Sequence, residues 1–286
     1  MRYCTPLRYP GGKNKLSNFI QLIFEENDLL DGHYIEPFAG SAAVAFRLLF
    51  SEYVSQIHIN DISASLFAFW HSVLNNTENL CKLINDTPVN VDQWRKQKYI
   101  QEHPDGHSLL EYGFSTFFLN RTNRSGIIGG GVIGGLNQDG PWKIDARFTK
   151  PNLLERIEKI ARYKKRINLY KSDAANFINQ VLPKIDSKSL VYLDPPYYVK
   201  GKDLYENYYN HDDHERISKL ISRIKQHWVV SYDYTKEIVN FYQNFRNCVY
   251  GINYSAANRY QGAEIMFFSD SLVMPSVEDP TKAKVA

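Results

Sequence analysis

Residues 189–193 form a continuous, largely apolar run that ends directly at Asp194. A run of this kind is typical of a central parallel strand, because such a strand is buried on both faces of its sheet. Shorter runs of the same type occur at residues 34–37, 57–59, 167–170 and 228–231, with helical spacing at 42–50, 174–182 and after Asp212. This alternation of strands and helices predicts an α/β fold with a doubly wound, parallel sheet.

The alternation stops between Ser65 and Lys150, where the chain is polar, rich in Asn and Arg, and without buried-strand runs. We therefore predict an inserted, mainly helical domain over residues 65–150 that ends in a Gly-rich hairpin or loop. The α/β domain then comprises residues 1–64 and 151–275. Residues 276–286 are polar and charged, which predicts a disordered tail.

Composition excludes several classes of protein. The formal net charge of the 286 residues is only +3, so an acidic partner has to be bound by a local patch. The three cysteines are far apart, which argues against a disulfide framework or a zinc site and favours a cytoplasmic protein without metal. No apolar run approaches the roughly 18 residues of a membrane span, and the first residues do not resemble a secretory signal.

The most informative motif is Asp194, Pro195, Pro196 and Tyr197, which follows the predicted central strand at the edge where open α/β sheets bind ligands. The two prolines stiffen the chain and remove two backbone donors. The Asp194 carboxylate and the Pro195 carbonyl are then fixed acceptors that suit an NH2 group, and Tyr197 offers a ring face for a planar base. The alternative is a strand-to-loop turn that merely contains two prolines.

Two further segments have the character of ligand loops. Residues 36–44 follow a strand and open a helix, and their small side chains let backbone N–H groups approach a ligand. Asp61 ends the next strand, where an acid can accept hydrogen bonds from ribose hydroxyls or can simply cap a helix. Residues 10–12, Pro-Gly-Gly, predict a tight turn beside the positive charge of Lys13, without the spacing of an ATP-binding phosphate loop.

In this order, the motifs resemble those of the Dam-like adenine-N6 DNA methyltransferases, over roughly residues 5–270. The resemblance implies a Rossmann-like, S-adenosylmethionine-dependent methyltransferase sheet with an inserted target-recognition domain. It implies cofactor-binding roles for Tyr9, Lys13, Phe38, Ala39, Gly40, Asp61, Asp173, Ala174 and Asp194, and catalytic roles for Asp194, Pro195, Pro196 and Tyr197. Ala42 departs from the pattern, because many relatives have a second glycine there; such positions tolerate Ala.

The resemblance also implies the reaction. A methyl group passes from S-adenosylmethionine to N6 of an adenine that has been flipped out of double-stranded DNA, at a specific sequence. We expect a monomer or weak dimer, with a cognate restriction endonuclease as a possible partner.

Contacts with DNA are predicted in two regions. Residues 120–126 are dense in Asn and Arg, which pair with adenine and guanine edges, and basic residues outnumber acidic ones between Lys143 and Lys171. A solvated helix face beside a flexible loop is the alternative. A Ser/Asn-rich loop at residues 253–259 resembles the variable loop of the family. The predicted DNA contacts are Arg121, Asn123, Arg124, Lys143, Arg147, Asn258 and Arg259.

Other functions remain open at this point. An RNA or nucleoside N6-adenine methyltransferase has the same catalytic chemistry, but the inserted domain favours duplex DNA. A non-catalytic DNA-binding module of the same fold is disfavoured by the intact motif from Asp194 to Tyr197. Protein-glutamine methyltransferases typically carry Asn in place of Asp194. A nicotinamide-dependent dehydrogenase is disfavoured because G-x-G-x-x-G is missing.

Overall fold

The computed structural model describes residues 4–8, 13–199, 209–254 and 260–285, and the chain divides into two compact units. The α/β unit comprises Lys13–Ile62 and Arg166–Ala286. The helical unit comprises Met1–Gly12 and Ser63–Lys165. This division differs from the boundaries predicted from sequence, because residues 1–12, 63–64 and 151–165 belong to the helical unit and not to the α/β domain.

The α/β unit contains a seven-stranded sheet with the strand order β3-β2-β1-β4-β5-β7-β6. The strands are β1 (Gly32–Glu36), β2 (Val54–Asn60), β3 (Ile167–Tyr170), β4 (Ser189–Leu193), β5 (His227–Asp233), β6 (Arg246–Tyr254) and β7 (Tyr260–Phe268). β1 to β5 pair in parallel, and β4 lies between β1 and β5. Every residue of β4 is buried, as its apolar run predicts.

The last two strands depart from the parallel, doubly wound arrangement that the alternation predicts. β7 runs antiparallel to both β5 and β6. Only residues 255–259 separate β6 from β7 in sequence, whereas parallel neighbours need a crossover of about a dozen residues or more. The sheet is therefore mixed, and its antiparallel edge brings β7 alongside β5, close to the carboxyl edge of the parallel strands.

Helices alternate with the parallel strands and also form most of the helical unit. In chain order they are α1 (Ser17–Glu26), α2 (Ala43–Phe50), α3 (Ala64–Asn75), α4 (Thr77–Asp86), α5 (Val91–Glu102), α6 (Leu109–Thr122), α7 (Lys150–Arg162), α8 (Ala174–Asn176), α9 (His211–Ile221) and α10 (Lys236–Phe241). α8 continues into a π-helical turn, Phe177–Val181, and a 3-10 turn, Leu182–Lys184. Among the described residues, no helix is long and apolar enough to cross a membrane.

The core of the α/β unit lies between the sheet and the helices that follow its strands. Phe177, Ile217, Trp228 and Phe267 are among its fully buried members. Burial of side chains this large dominates the free energy of folding, so the strand ends that border this core are rigidly held. The loops that follow β1 and β4 therefore start from fixed positions.

The residues after Ser276 do not form the disordered tail that the polar composition predicts. Pro280–Lys282 is a 3-10 turn in which Pro280 is buried. The Asn18 side chain donates a hydrogen bond of 2.9 Å to the Ala283 carbonyl, which attaches this segment to α1. Asp279 caps the turn by accepting from the Thr281 N–H group at 3.0 Å. Local capping and contacts with α1 hold this segment, although it has few apolar residues.

The helical unit is organised around the close approach of α3 and α6. A Cβ atom on Gly113 would lie 2.5 Å from the Ala68 carbonyl oxygen, so only glycine fits at this crossing. Phe69 and Phe117 stack beside it with their ring centroids 5.7 Å apart. α6 begins at a capping box formed by Ser108 and Glu111. A Gly-rich loop over residues 127–143 follows α6 and a short 3-10 turn.

Candidate active site

Asp194 follows β4 directly, at the carboxyl edge of the parallel strands. Its Oδ1 atom accepts hydrogen bonds from Lys13 Nζ and from Ser231 Oγ on β5, both at 2.9 Å. Within the described residues Oδ2 makes no hydrogen bond, and 22% of the side chain is exposed. The carboxylate is thus held through one oxygen atom, while the other can accept a hydrogen bond from a ligand.

Lys13 is a buried cation that two carboxylates share. Its Nζ atom lies 2.9 Å from Asp194 Oδ1 and 3.3 Å from Glu264 Oε1, and only 4% of its side chain is exposed. Burial on its own lowers the pKa of an ammonium group, but the two carboxylates outweigh burial and raise the pKa of Lys13 well above its usual value. Lys13 is therefore charged at physiological pH, and this residue, assigned to the cofactor by resemblance, contacts Asp194 at the start of the predicted catalytic loop, residues 194–199.

Tyr197 is buried, with only 1% of its surface exposed. Its hydroxyl donates to Glu264 Oε1 at 2.5 Å, and Lys13 Nζ lies 5.1 Å from the centroid of its ring. The prediction that Tyr197 offers an open ring face to a base is therefore wrong for this structure. The buried Glu264 carboxylate needs donors, and it holds the tyrosine hydroxyl inside the unit.

The cluster of Lys13, Asp194 and Glu264 contains one ammonium group and two carboxylates, so its charges do not balance. Burial raises the pKa of Asp194, and Glu264 raises it further, although Lys13 opposes both effects. Asp194 is consequently a better proton acceptor than an exposed aspartate. A raised pKa at a strand end, next to a cation, is characteristic of a functional carboxylate.

Asp233 fixes the chain that follows the two prolines. Its Oδ1 atom accepts from the Tyr198 N–H group at 2.8 Å, and its Oδ2 atom accepts from the Val199 N–H group at 3.0 Å. Asp233 ends β5, next to the strand that carries Asp194. The catalytic loop is therefore stiffened by Pro195 and Pro196 on one side and by two backbone hydrogen bonds on the other.

The predicted cofactor loop is a tight turn between β1 and α2. Gly40 and Ala42 both have left-handed backbone angles, with φ of 49° and 48°. Asp61 Oδ2 accepts from the Gly40 N–H group at 2.9 Å, and the Ala39 N–H group donates to the Asn60 carbonyl at 2.9 Å. Asp61 is thus joined to the loop, while the helix that follows it in sequence is capped by Ser63.

A pair of aromatic rings lies beside this loop. The ring centroids of Phe38 and Tyr209 are 6.0 Å apart. Burial raises the pKa of Tyr209, and the nearby Asp173 carboxylate raises it further. Asp173 caps α8 by accepting from the N–H groups of Ala175 and Asn176, and Ala174 is buried.

The turn at residues 38–40, together with Asp61, has the chemical groups that S-adenosylmethionine requires. The tight turn at Gly40 brings backbone close to a ligand, and the carboxylate of Asp61 suits ribose hydroxyls. The rings of Phe38 and Tyr209 suit the flat adenine base. Four of the predicted cofactor-binding residues come together at this turn: Phe38, Ala39, Gly40 and Asp61. Lys13, assigned to the same role by resemblance, contacts Asp194 instead.

Three residues that contact the segment from Asp194 to Val199 escaped prediction, namely Ser231, Asp233 and Glu264. Ser231 and Asp233 lie on β5, and Glu264 lies on β7, the strand that pairs with β5. Glu264 had a usable signal, because it is a single carboxylate directly before the apolar residues 265–268. A charged side chain at such a position is expected to be paired when it is buried.

The helical unit gathers arginines around Arg121. Its Nε atom donates to the Arg147 carbonyl at 2.7 Å, and Nη1 donates to the Pro6 carbonyl at 3.4 Å. Burial, with the charges of Arg8, Arg156 and Arg147, lowers the pKa of Arg121 to about 9. In the described ranges, no carboxylate forms an ion pair with Arg8, Arg121 or Arg147. This arginine cluster is a concentration of uncompensated positive charge.

Asn123 does not have the DNA-contacting position predicted for it. It is completely buried, and its Oδ1 atom accepts from the Trp94 indole at 2.6 Å. Its amide donates to the carbonyls of Ile127 and Ile128 at 2.9 and 2.8 Å. These three hydrogen bonds anchor the start of the Gly-rich loop, so the side chain has no surface to offer to a base.

The Gly-rich loop lines a groove of about 720 Å³ that is open to solvent. Arg124 is exposed and lines this groove together with Trp142, which is 66% exposed. The Arg147 guanidinium lies 5.9 Å from the centroid of the Trp142 ring. Lys143 is exposed, and its Nζ atom donates to the Gln138 carbonyl at 2.6 Å. Arg124, Lys143 and Arg147 are thus all exposed, whereas the remaining predicted residues Tyr9, Asn258 and Arg259 lie outside the described residues.

Comparison with known proteins identifies the family. The model of the D12 class N6 adenine-specific DNA methyltransferases matches residues 9–256. The chain is 24% identical over 242 residues to the Type II methyltransferase M.MjaIII of Methanocaldococcus jannaschii, covering 76% of this chain and 79% of that protein.

Two solved structures have a similar chain course at low identity. A candidate RNA methyltransferase from Pyrococcus horikoshii is 10% identical, with a TM-score of 0.43, covering 92% of this chain and 83% of that chain. A Legionella pneumophila protein is 13% identical, with a TM-score of 0.34, covering 90% of this chain and 85% of that chain.

The chain therefore belongs to the D12 class N6 adenine-specific DNA methyltransferase family. It is a methyltransferase that uses S-adenosylmethionine and acts in DNA adenine methylation. The resemblance found from the sequence motifs is confirmed. The RNA methyltransferase and the non-catalytic module are not favoured.

Proposed function

We propose that this protein is a site-specific, adenine-specific DNA methyltransferase that methylates N6 of an adenine flipped out of duplex DNA. The observation that carries the proposal is the geometry of Asp194. Lys13 and Ser231 hold its Oδ1 atom, which directs the remaining oxygen, Oδ2, toward a ligand. A partly exposed acceptor at the carboxyl edge of β4 suits one N–H bond of the adenine amine.

The chemical task explains why such an acceptor is useful. The N6 lone pair of adenine is delocalised into the ring, so the amine is a weak nucleophile. Hydrogen bonds to Asp194 Oδ2 and to the Pro195 carbonyl orient the amine so that its lone pair faces the methyl donor. Positioning of this kind supplies about 7–11 kcal/mol of a reaction barrier. Asp194 can also accept the proton that the amine loses, because its pKa is raised by burial.

S-adenosylmethionine, when bound, supplies an electrophilic methyl group on a sulfonium. We assign its binding to the turn formed by Phe38, Ala39 and Gly40, with Asp61 accepting from the ribose. Asp173 acts on Tyr209, and Ala174 belongs to the core cluster against which Phe38 and Tyr209 pack, so we assign both to the adenine end of the cofactor. Tyr9 keeps the role that the family resemblance implies.

We assign duplex DNA to the helical unit. Arg8, Arg121 and Arg147 concentrate positive charge there, and phosphate groups are the natural ligands for guanidinium groups that form no ion pair within the described residues. Arg124 and Lys143 lie on the exposed loop and are available to base edges or phosphates. Asn258 and Arg259 remain predicted DNA contacts, whereas Asn123 anchors the loop.

The cellular setting follows from the same chemistry. A related protein is a Type II methyltransferase, a class that is typical of restriction-modification systems. We therefore include a cognate restriction endonuclease as the functional partner. We expect a monomer or weak dimer. The three cysteines, all of them described, form no disulfide, which fits a cytoplasmic enzyme with access to DNA.

Substitution of Asp194 tests the proposal. Asp194→Ala and Asp194→Asn are expected to abolish methyl transfer to duplex DNA while retaining binding of S-adenosylmethionine, measured by calorimetry. Glu26→Gln, an exposed carboxylate of α1, is the control and is expected to leave both unchanged. Near-normal turnover by either Asp194 variant would refute the assigned role.

A further inference from the structure

Glu264 is a fully buried carboxylate on β7 that contacts three separate parts of the α/β unit. Its Oε1 atom accepts from Lys13 Nζ at 3.3 Å and from the Tyr197 hydroxyl at 2.5 Å. Its Oε2 atom accepts from the Tyr250 hydroxyl, on β6, at 2.6 Å. Both oxygen atoms are therefore occupied, and the side chain has no exposed surface through which it could touch a substrate.

The position of Glu264 depends on the antiparallel edge of the sheet. β7 pairs with β5, and Glu264 lies opposite Asp233, the residue that fixes the backbone after the two prolines. Glu264 and Asp233 thus come from neighbouring strands, and each binds a different part of the catalytic loop. Asp233 holds its backbone, whereas Glu264 holds the Tyr197 side chain.

We propose, on the basis of the function proposed above, that Glu264 is a positioning residue for methyl transfer. It acts through Tyr197 and Lys13. By accepting from the Tyr197 hydroxyl it keeps the end of the catalytic motif inside the unit, and by sharing the Lys13 ammonium it fixes the cation that holds Asp194 Oδ1. The orientation of Asp194 Oδ2 toward the adenine amine is the result.

The charge of Glu264 matters as well as its hydrogen bonds. The titratable groups that act on or border Asp194 are Lys13, Tyr34, Glu36, Tyr192 and Glu264, and the Ser231 hydroxyl adds a hydrogen bond. With Glu264 neutralised, Lys13 serves Asp194 alone. The pKa of Asp194 then falls, because one negative neighbour has been removed.

The first experiment compares Glu264→Gln with wild-type enzyme in single-turnover methyl transfer to duplex DNA. We expect the rate constant to fall about 100-fold, the loss typical of a small displacement of a reacting group. Affinities for S-adenosylmethionine and DNA should change less than about threefold, since Glu264 touches neither ligand. Glu264→Asp, which restores the charge on a shorter side chain, should recover part of the rate. An unchanged rate in Glu264→Gln would refute the proposal.

A double-mutant cycle with Tyr197→Phe tests whether Glu264 acts through Tyr197. We expect the double variant to be no slower than the slower single variant, because both changes break the same contact. Tyr250→Phe is the matched control, since it removes a hydroxyl from the other carboxylate oxygen and should have a smaller effect. Multiplicative losses in the cycle would show that Glu264 and Tyr197 act independently. If Glu264→Gln fails to fold, Tyr197→Phe must still slow transfer relative to Tyr250→Phe.

A readout that is independent of activity separates this proposal from the proposed function. The carboxyl carbon of Asp194 is followed by ¹³C NMR during a pH titration and assigned with Asp194→Asn. Glu264→Gln is expected to lower the pKa of Asp194 even if wild-type protein does not methylate DNA. Failure of the wild-type protein to methylate DNA would therefore contradict the proposed function. An Asp194 pKa that is the same in wild-type protein and in Glu264→Gln would contradict the role of Glu264.

Discussion

The Nζ atom of Lys13 lies 2.9 Å from Oδ1 of Asp194. These residues come from distant parts of the sequence: Lys13 precedes the first helix, and Asp194 follows the central strand β4. The ion pair therefore joins Lys13 to the first residue of the predicted catalytic motif. It also uses one oxygen of Asp194, which determines which oxygen is left for a substrate.

Replacement of Lys13 by Met is expected to destabilise the fold by about 3–5 kcal/mol, because it leaves two buried carboxylates without their cation. Chemical denaturation measures the free energy of unfolding. The matched control is Lys15→Met, an exposed lysine in the same segment, which should change that free energy by less than about 0.5 kcal/mol. Equal stabilities of the two variants would contradict the account of the charge cluster.

Glu36 predicts a pH dependence of stability. Burial raises its pKa to about 8, and the Asp194 carboxylate contributes to the shift. Because the folded-state pKa lies above the usual value, the stabilisation is complete below about pH 4.5 and is lost as the pH rises through about 8. The melting temperature of wild-type protein should therefore fall as the pH rises from about 5 to about 8, and the contribution of Glu36 should level off above that. Glu36→Gln should show a shallower fall, and equal slopes would refute the assignment.

Substitution of Ala42 by glycine tests whether the backbone of the cofactor turn is strained. It is buried and has φ of 48° and ψ of 34°, the left-handed region that glycine adopts without cost. Ala42→Gly is expected to stabilise the fold by up to about 1 kcal/mol. Ala45→Gly, in the interior of α2, should destabilise it by about 1 kcal/mol or more. Thermal unfolding distinguishes them, and a loss of stability in Ala42→Gly would contradict the strain.

The arginine cluster predicts a salt dependence of DNA binding. Arg147→Gln should weaken duplex binding at all sequences and reduce the slope of log Kd against log salt concentration by about 1. Arg95→Gln is the matched control, because this exposed arginine of the same unit is paired with Asp92 at 3.1 Å. Fluorescence anisotropy at several salt concentrations measures both. The same slope in both variants would argue against phosphate contact at Arg147.

The parallel half of the fold is predictable from sequence for a clear physical reason. A strand buried on both faces needs a continuous apolar run, and the run at 189–193 coincides with β4. The placement of Asp194 at the carboxyl edge follows from that strand. β6 and β7 are harder, because their direction depends on the length of the connection between them rather than on their own composition.

The contacts of the site could not be predicted, because they join residues that are far apart in sequence. Nothing near Tyr197 in sequence indicates that Glu264 takes its hydroxyl and buries its ring. Likewise, the polar character of Asn123 predicts a DNA contact, but a buried indole N–H and two carbonyls need a partner, and Asn123 satisfies them. Residue chemistry indicates what a side chain can bind, and the fold decides what it does bind.

The most direct test of the central claim is transfer of a tritiated methyl group from S-adenosylmethionine to unmethylated duplex DNA, followed by analysis of the labelled nucleoside. The account predicts that the label is recovered as N6-methyldeoxyadenosine and that Asp194→Ala yields none. Label in another nucleoside, or only in RNA or protein, would contradict the assignment of Asp194 to an adenine amine in duplex DNA.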